Sequence, residues 1–395
     1  MKATLKNTNV FSNGQFSMGE SSFLAEFPFS LSDTISVDAS SLFVFPGFAD
    51  VHVHFREPGF SYKETILSGS RAAAHGGFAA VCTMPNLNPV PDSLESLKLQ
   101  LDLVEKDAVI DVHPFGAITK GESGRELSDI EAMAPYVCGY SDDGRGVDDA
   151  GLMREAMQRA KALGKVISAH CEDGTAPKDS PEAEWREIER DIKLASDIGV
   201  KYHVCHISTK ESVSLIREAK KSGVDITAET APHYLTLTDK TRSDDTGRFQ
   251  MNPPLREEAD RLALIEGVLD GTVDMIATDH APHSKEEKSL GFGKCLNGIV
   301  GLETSFPVMY THFVKTGILP LERLIAMMSE NPARRFEIPI RGYTVYRLDE
   351  EYTVNPDEFL TMGRSSPFTG TRLYGKCLAT VVGGHAVYLD PTLLV

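Results

Sequence analysis

The 395-residue chain has no long apolar run. Nothing in it approaches the roughly 20 consecutive apolar residues of a membrane helix, so no membrane association is expected. Met1–Gln15 is polar and lacks the apolar core of a secretory signal. Cysteine is sparse. Cys82, Cys138, Cys171, Cys205, Cys295 and Cys377 stand far apart, with no C-x-x-C pair. That spacing excludes zinc ribbons and dithiol redox motifs, and the thiols read as reduced residues of a cytoplasmic protein. Positive charge is also short: 40 Lys and Arg face 57 Asp and Glu, a formal charge of −17. A nucleic-acid-binding protein shows a basic footprint, so no nucleic-acid partner is expected. The acidic excess reads as solubility, and an anionic ligand would need its own local cation.

What is present is ordinary globular composition, 41% hydrophobic and 25% charged. The length fits one α/β barrel of roughly 250 residues with a smaller module beside it. Residues 1–45 hold short alternating runs, such as Phe23-Leu-Ala-Glu-Phe27, that predict a few β-strands. From residue 43, short apolar runs alternate with amphipathic stretches. The runs are 43–53, 77–84, 108–117, 134–141, 165–170, 201–207, 224–229 and 273–279. Residues 149–163 and 211–222 are two of the helical stretches between them. Eight strand–helix units predict a (β/α)8 TIM barrel. Residues 320–336 predict a last helix, and 340–395 return to strand-like runs such as Ala379-Thr-Val-Val382. The expected division is a barrel over 46–338, with 1–45 and 339–395 pairing into a small discontinuous β-sandwich.

Catalytic residues of such barrels sit at the C-terminal ends of strands. The first run ends in His52-Val-His54, the fourth in Ser141-Asp142-Asp143, and the fifth in His170. The sixth ends in His203-Val-Cys-His206 and the eighth in Asp279-His-Ala-Pro-His283. Residues i and i+2 of a strand share a face, so His52 and His54 can share one metal ion. Each group alone has a plain structural reading. A lone histidine is usually a satisfied polar residue, and Asp-Asp-Gly is usually a turn. Taken together, four imidazoles and two carboxylates at one barrel mouth suit zinc or a similar first-row metal. They are enough for two ions sharing a carboxylate and a water, which is the equipment of a metallohydrolase.

These residues also resemble a known family. Pro46-Gly-Phe-Ala-Asp-Val-His-Val-His-Phe-Arg-Glu-Pro-Gly59 is similar to the opening motif of the amidohydrolase superfamily, and its Arg-Glu-Pro-Gly tail to the dihydroorotases. Met84-Pro-Asn86, Ser141-Asp-Asp-Gly144, His170-Cys-Glu-Asp173 and His203-Val-Cys-His-Ile-Ser208 continue the match. So do Met251-Asn-Pro-Pro-Leu-Arg256, Ala277-Thr-Asp-His-Ala-Pro-His283 and Gly298-Ile-Val-Gly-Leu-Glu303. The resemblance covers about residues 45–336 and is nearest the bacterial type I branch. It implies reversible, zinc-dependent interconversion of L-dihydroorotate and N-carbamoyl-L-aspartate, a step of pyrimidine synthesis. It assigns His52, His54 and Asp279 to one metal and His170 and His206 to the second. Asp143 aligns with the bridging position, with Asp142 as the alternative. Asp279 is implied as base and then acid on the cyclic amide. Arg56, Asn86 and His283 are implied as a clamp for the substrate carboxylate, with Asn252 a further ring contact.

Other cyclic-amide hydrolases, such as dihydropyrimidinases, hydantoinases and allantoinases, typically bridge their metals with a carboxylated lysine. No lysine lies between Asp129 and Arg159. An inactive partner of aspartate carbamoyltransferase would be expected to have lost ligands, and here all six stand. The resemblance further implies a homodimer, with aspartate carbamoyltransferase as a second partner. The match departs at Leu87, where Thr is usual, and at Cys295-Leu-Asn297, where Ala-Pro-Phe is common. Gly291-Phe-Gly293 is read as part of a mobile cover over the site.

Overall fold

The computed structural model describes residues 2–25 and 34–394. Four strands precede the barrel: β1 (Lys2–Ser12), β2 (Gln15–Leu24), β3 (Thr34–Asp38) and β4 (Leu42–Pro46). The barrel strands are β5 (Phe48–Val53), β6 (Phe78–Thr83), β7 (Asp111–Ala117), β8 (Gly139–Ser141), β9 (Val166–Ala169), β10 (Lys201–Val204), β11 (Ile226–Thr230) and β12 (Met275–Ile276). β13 (Gly342–Thr353), β14 (Arg372–Val382) and β15 (His385–Leu389) follow.

β5 to β12 pair in parallel in chain order as one eight-stranded sheet. The seam between last and first strands is held by a parallel bridge from Val53 to His280 and by His54 N–H donating to the His280 carbonyl at 2.8 Å. The Asp50 carboxylate adds to it, accepting from Thr278 N at 3.1 Å. β5 and β6 are buried along their whole length, as expected of barrel strands covered on both faces. The helix Ala150–Ala162 shows why the outer layer packs. Asp149 caps it, accepting from Gly151 N and Leu152 N, and Met153, Ala156, Met157 and Ala160 form its buried stripe. Lys210–Lys221 is capped in the same way by Thr209. The helical run from Leu321 to Phe336 contains a π-turn at Ala326–Glu330.

The remaining seven strands form a separate sheet in the order β2-β15-β14-β13-β4-β1-β3. β1 also pairs with β2, so the sheet curls back on itself around Leu5, Phe23, Val44, Val345 and Leu378. Both chain ends therefore build it, as expected. The β1–β2 hairpin turns at Asn13-Gly14, both with positive φ (51° and 77°), which a two-residue turn between twisted strands requires.

Several predicted runs are too long: 201–207 is a strand only to Val204 and 273–279 only at Met275–Ile276, and two others break for a visible reason. Run 43–53 is two strands in different sheets, β4 and β5, divided at Gly47. A Cβ there would sit 2.3 Å from that of Ala79, so the cross-over tolerates no side chain. Run 134–141 is a strand only from Gly139, because Ala134–Tyr136, with Pro135 in it, forms a tight helical turn. Glu26 and Phe27 of the predicted early run lie outside the described residues. Among the described residues no helix is long and apolar enough to cross a membrane.

Candidate metal centre

The strand ends converge. His52 is on β5 and His54 one residue beyond it; Asp143 follows β8, His170 follows β9, His206 follows β10 and Asp279 follows β12. All six are buried. A cavity of about 310 Å³ is lined by His54, Asp143, His170, His206 and Asp279, together with Arg56, Asn86, Asn252 and His283. His52 is fully buried and adjoins Asp143. The ten residues singled out in the sequence thus meet at one mouth. His206 and Asp279 hold left-handed backbone (φ 30° and 48°), a strained conformation for non-glycine residues that clusters at functional sites.

Three of the histidines have an outer ring nitrogen tied to an acceptor. His52 Nδ1 donates to Glu229 Oε1 at 2.7 Å, His54 Nδ1 to Asn86 Oδ1 at 2.8 Å, and His170 Nε2 to Glu172 Oε2 at 3.1 Å. The inner nitrogens then face the centre. His52 Nε2 is 3.1 Å from Asp143 Oδ1 and 3.7 Å from Asp279 Oδ1. His54 Nε2 is 3.1 Å from Asp279 Oδ1 and 3.4 Å from Asp143 Oδ2. His170 Nδ1 and His206 Nε2 approach to 2.9 Å, each 3.8 Å from Asp143 Oδ1. Outer nitrogens fixed on acceptors and inner nitrogens converging with carboxylates is the arrangement that holds a metal. His52 Nε2 and Asp143 Oδ1 are buried with no hydrogen-bond partner of good geometry among the described residues, an arrangement that a cation would relieve. His52, His54 and Asp279 form one group of ligand atoms close enough for a single ion, and His52, Asp143 and His206 another.

The charges agree with this. Burial alone would raise the Asp143 carboxyl, but His52, His206 and His54 outweigh it and hold it well below the usual range. Asp279 is likewise burial-opposed and held down by His54, His52 and His206. Burial, helped by Arg56, keeps His54 below its ordinary pKa, so its ring is a neutral donor.

The two aspartates of Ser141-Asp-Asp-Gly144 separate completely. Asp142 turns away from the centre and accepts from Ile118 N at 2.7 Å, Thr119 N at 3.0 Å and the Thr119 hydroxyl. Arg56 is buried, and burial lowers its pKa against the pull of Asp279 and Asp143. Its Nε donates to Pro282 O at 3.3 Å. Glu57, its neighbour, instead accepts from Ile66 N at 2.9 Å, at the start of the helix Ile66–His75. Asn86 is engaged on both sides, accepting from His54 and donating to Asp143 Oδ2 at 3.2 Å. Asn252 donates to Glu172 Oε2 at 2.9 Å. Leu296, Asn297 and Gly298 cover the cavity, whereas Phe292 and Gly293 bond to the neighbouring 245–250 loop.

Three residues of this neighbourhood were not singled out in the sequence. Glu229 bridges His52 and His203, its Oε2 lying 3.1 Å from His203 Nε2. It closes the seventh predicted run, so the search for polar strand ends would have found it. Glu172 holds His170 from two residues away, inside a quoted motif. Lys63 lies beside His283, and no local pattern marks it.

The sequence family described as Dihydro-orotase-like matches residues 41–185. A dihydroorotase of Fusobacterium nucleatum is 48% identical over 385 residues, covering 91% of each chain. One of Ligilactobacillus salivarius is 42% identical, covering 98% of this chain and 99% of its own. Among solved structures, an L-hydantoinase (dihydropyrimidinase) of Arthrobacter aurescens superposes with a TM-score of 0.84 at 25% identity, over 100% of this chain and 97% of that one. A dihydropyrimidinase of Brevibacillus agri gives 0.85 at 21%, over 99% and 95%, a likeness of fold. With close to half of its residues shared across nine-tenths of its length, the chain belongs to the dihydroorotase family of the amidohydrolase superfamily.

Proposed function

We propose that the chain interconverts L-dihydroorotate and N-carbamoyl-L-aspartate in pyrimidine synthesis. The observation that carries this reading is Arg56, a buried guanidinium lining the same cavity as the metal-type centre. Asp279 and Asp143 act on it only from beyond ion-pair distance, a buried cation without a direct partner is costly, and the carboxylate of this substrate would supply that partner. A neutral cyclic amide would not.

His52, His54, Asp143, His170, His206 and Asp279 would hold zinc, two ions in preference to one. When bound, zinc polarises the amide carbonyl and lowers the pKa of water to about 7. The chain's own residues do the rest. Asp279, ionised at neutral pH, takes a proton from the attacking water. As oxygen bonds to the carbonyl carbon and the ring C–N bond breaks, Asp279 returns that proton to the ring nitrogen. Its left-handed backbone and its contact with His54 hold the carboxylate toward the reacting atoms. Arg56 grips the substrate carboxylate with its planar fork. Asn86 locks His54 and Asp143 together, and His283 completes the clamp. A homodimer in the cytoplasm, with aspartate carbamoyltransferase as a second partner, completes the proposal. The six free thiols support a reducing compartment.

The test is hydrolysis of L-dihydroorotate by the purified chain, with and without zinc. Metal-dependent turnover is expected, with Asp279→Ala inactive. Arg56→Ala should raise KM roughly 30-fold, the loss of about 2 kcal/mol from one charged hydrogen-bonded pair, and Arg56→Lys should not restore it. Equal turnover of hydantoin or dihydrouracil, unaffected by Arg56→Ala, would move the assignment to the neutral cyclic amides.

A further inference from the structure

A lysine that the proposed chemistry does not use lies buried beside the clamp. Lys63 is 8% exposed. Its Nζ is 3.2 Å from His283 Nδ1 and 3.0 Å from Glu287 Oε1. The other ring nitrogen of His283, Nε2, is 2.7 Å from the Asn297 carbonyl oxygen. A carbonyl only accepts, so Nε2 carries a proton. An ammonium only donates, so Nδ1 is bare toward Lys63. Glu287 Oε2, 3.4 Å from the same Nδ1, offers the competing state in which Nδ1 is also protonated and the ring is charged. Lys63 adds to burial and Arg56 in disfavouring the charged ring, and it alone sets the tautomer at Nδ1, because an Nδ1–H would point at an ammonium.

We infer that Lys63 is a positioning residue that holds His283 as a neutral imidazole whose proton is on Nε2, beside the cavity-lining Asn297, where a substrate carboxylate can take it. In the structure the Asn297 carbonyl takes that donor, and substrate would replace it there. The carbonyls on either side, Leu296 and Gly298, are held by the buried Lys288 ammonium at 2.9 and 2.7 Å. The covering loop is thus held by Lys288 at two carbonyls and by the His283 ring at the one between. The other charged groups around His283 are Arg56 from the β5 loop, Lys288 on its own helical turn, and Arg248, Lys285, Arg364 and Asp357 around an adjoining cavity. Burial, with Arg56 and Lys63, keeps the ring's pKa low, in keeping with the neutral form.

The effect on binding rests on the proposed carboxylate substrate; the state of the ring does not. The experiment compares the zinc-loaded wild type with Lys63→Met, Lys63→Arg and the double variant Lys63→Met/Glu287→Gln. Nitrogen-15 NMR of labelled histidine, assigned by the signal lost in His283→Asn, reads the ring from about pH 6 to 9. Wild type and Lys63→Arg should keep the Nε2–H tautomer throughout. Lys63→Met should lose the pure Nε2–H form, through an Nδ1–H bonded to Glu287 or an upward shift of the ring's titration, and the double variant, lacking the anion as well, should show neither. In kinetics, Lys63→Met should show KM rising with pH to about tenfold above wild type, one charge-assisted hydrogen bond, with kcat changed less than about twofold. A His283 ring that stays neutral and Nε2-protonated in Lys63→Met would overturn the inference. So would a fall in kcat at unchanged KM. If dihydroorotate is not the substrate, the NMR arm still decides.

Discussion

Glu229→Gln removes one negative charge from the floor of the centre and almost nothing else. Glu229 Oε1 accepts from His52 Nδ1 at 2.7 Å and from His206 N at 3.2 Å, and Oε2 faces His203 Nε2 at 3.1 Å. A glutamine oxygen in the Oε1 position keeps the first two bonds. Its amide nitrogen then meets His203, whose neutral ring can switch tautomer and donate through Nδ1 to Thr227 Oγ1, 2.8 Å away. Shape and hydrogen bonding survive, while the anion that orients and strengthens the His52 ligand does not. Zinc affinity should fall about 10–100-fold, or roughly 1.4–2.7 kcal/mol, with modest change in folding stability. Glu229→Ala differs in kind. Three donors would face a void at a position only 1% exposed, and each unsatisfied group costs about 1–3 kcal/mol. That variant should lose several kcal/mol of stability. Competition with a chromophoric chelator gives the affinity, and denaturant unfolding of the metal-free chain gives the stability. Wild-type zinc affinity in Glu229→Gln would refute the electrostatic role. Equal destabilisation by the two variants would refute the hydrogen-bond accounting.

The neighbouring aspartates should part company: Asp142→Ala should lower stability by about 2 kcal/mol, the cost of leaving the Thr119 N–H and hydroxyl without their acceptor while Ile118 N keeps the Ser141 carbonyl at 3.2 Å, and keep its metal. Asp143→Ala should purify with reduced zinc content by mass spectrometry, and the opposite pattern would reverse the assignment. Glu122 is buried, one of its oxygens has no hydrogen-bond partner among the described residues, and burial with Asp142 and Asp143 pushes its pKa up to about 9. The folded chain therefore retains a proton that the unfolded chain loses near the ordinary value of 4.5, and stability falls as pH rises from there through about 9. Glu122→Gln lacks that slope, so its stability relative to wild type should grow between about pH 5 and 9 in denaturant titrations. Parallel curves would show that the carboxyl titrates normally.

The barrel was legible because its signals are local. Alternation and helical spacing need only neighbours along the chain, and each of the eight apolar runs holds one of the eight barrel strands, the first run holding β4 as well. The runs overreached where hydrophobicity continued through a change of partner. Phe45 and Phe48 are both fully buried and stack on each other, ring centroids 6.2 Å apart, yet they lie on strands of different sheets, so hydrophobicity runs unbroken through the change of sheet. The histidines and Asp279 were legible because strand ends of a barrel meet by construction. Lys63 was not, because its partner lies 220 residues away and nothing around it in sequence distinguishes it from a surface lysine.

The sequence by itself determined which donors stand at the mouth, since a period-two strand aims His52 and His54 the same way wherever it is placed. Only the tertiary structure decided what each donor does. It turned Asp142 to the backbone of residues 118–119 and left Asp143 among the histidines. It set Glu229 against His52 across 177 residues, fixing which imidazole nitrogen faces the centre. The reason is physical: the direction of a side chain follows from backbone dihedrals, which are local. Its protonation state and hydrogen-bond partner follow from groups within about 3 Å, which only the closed fold brings there.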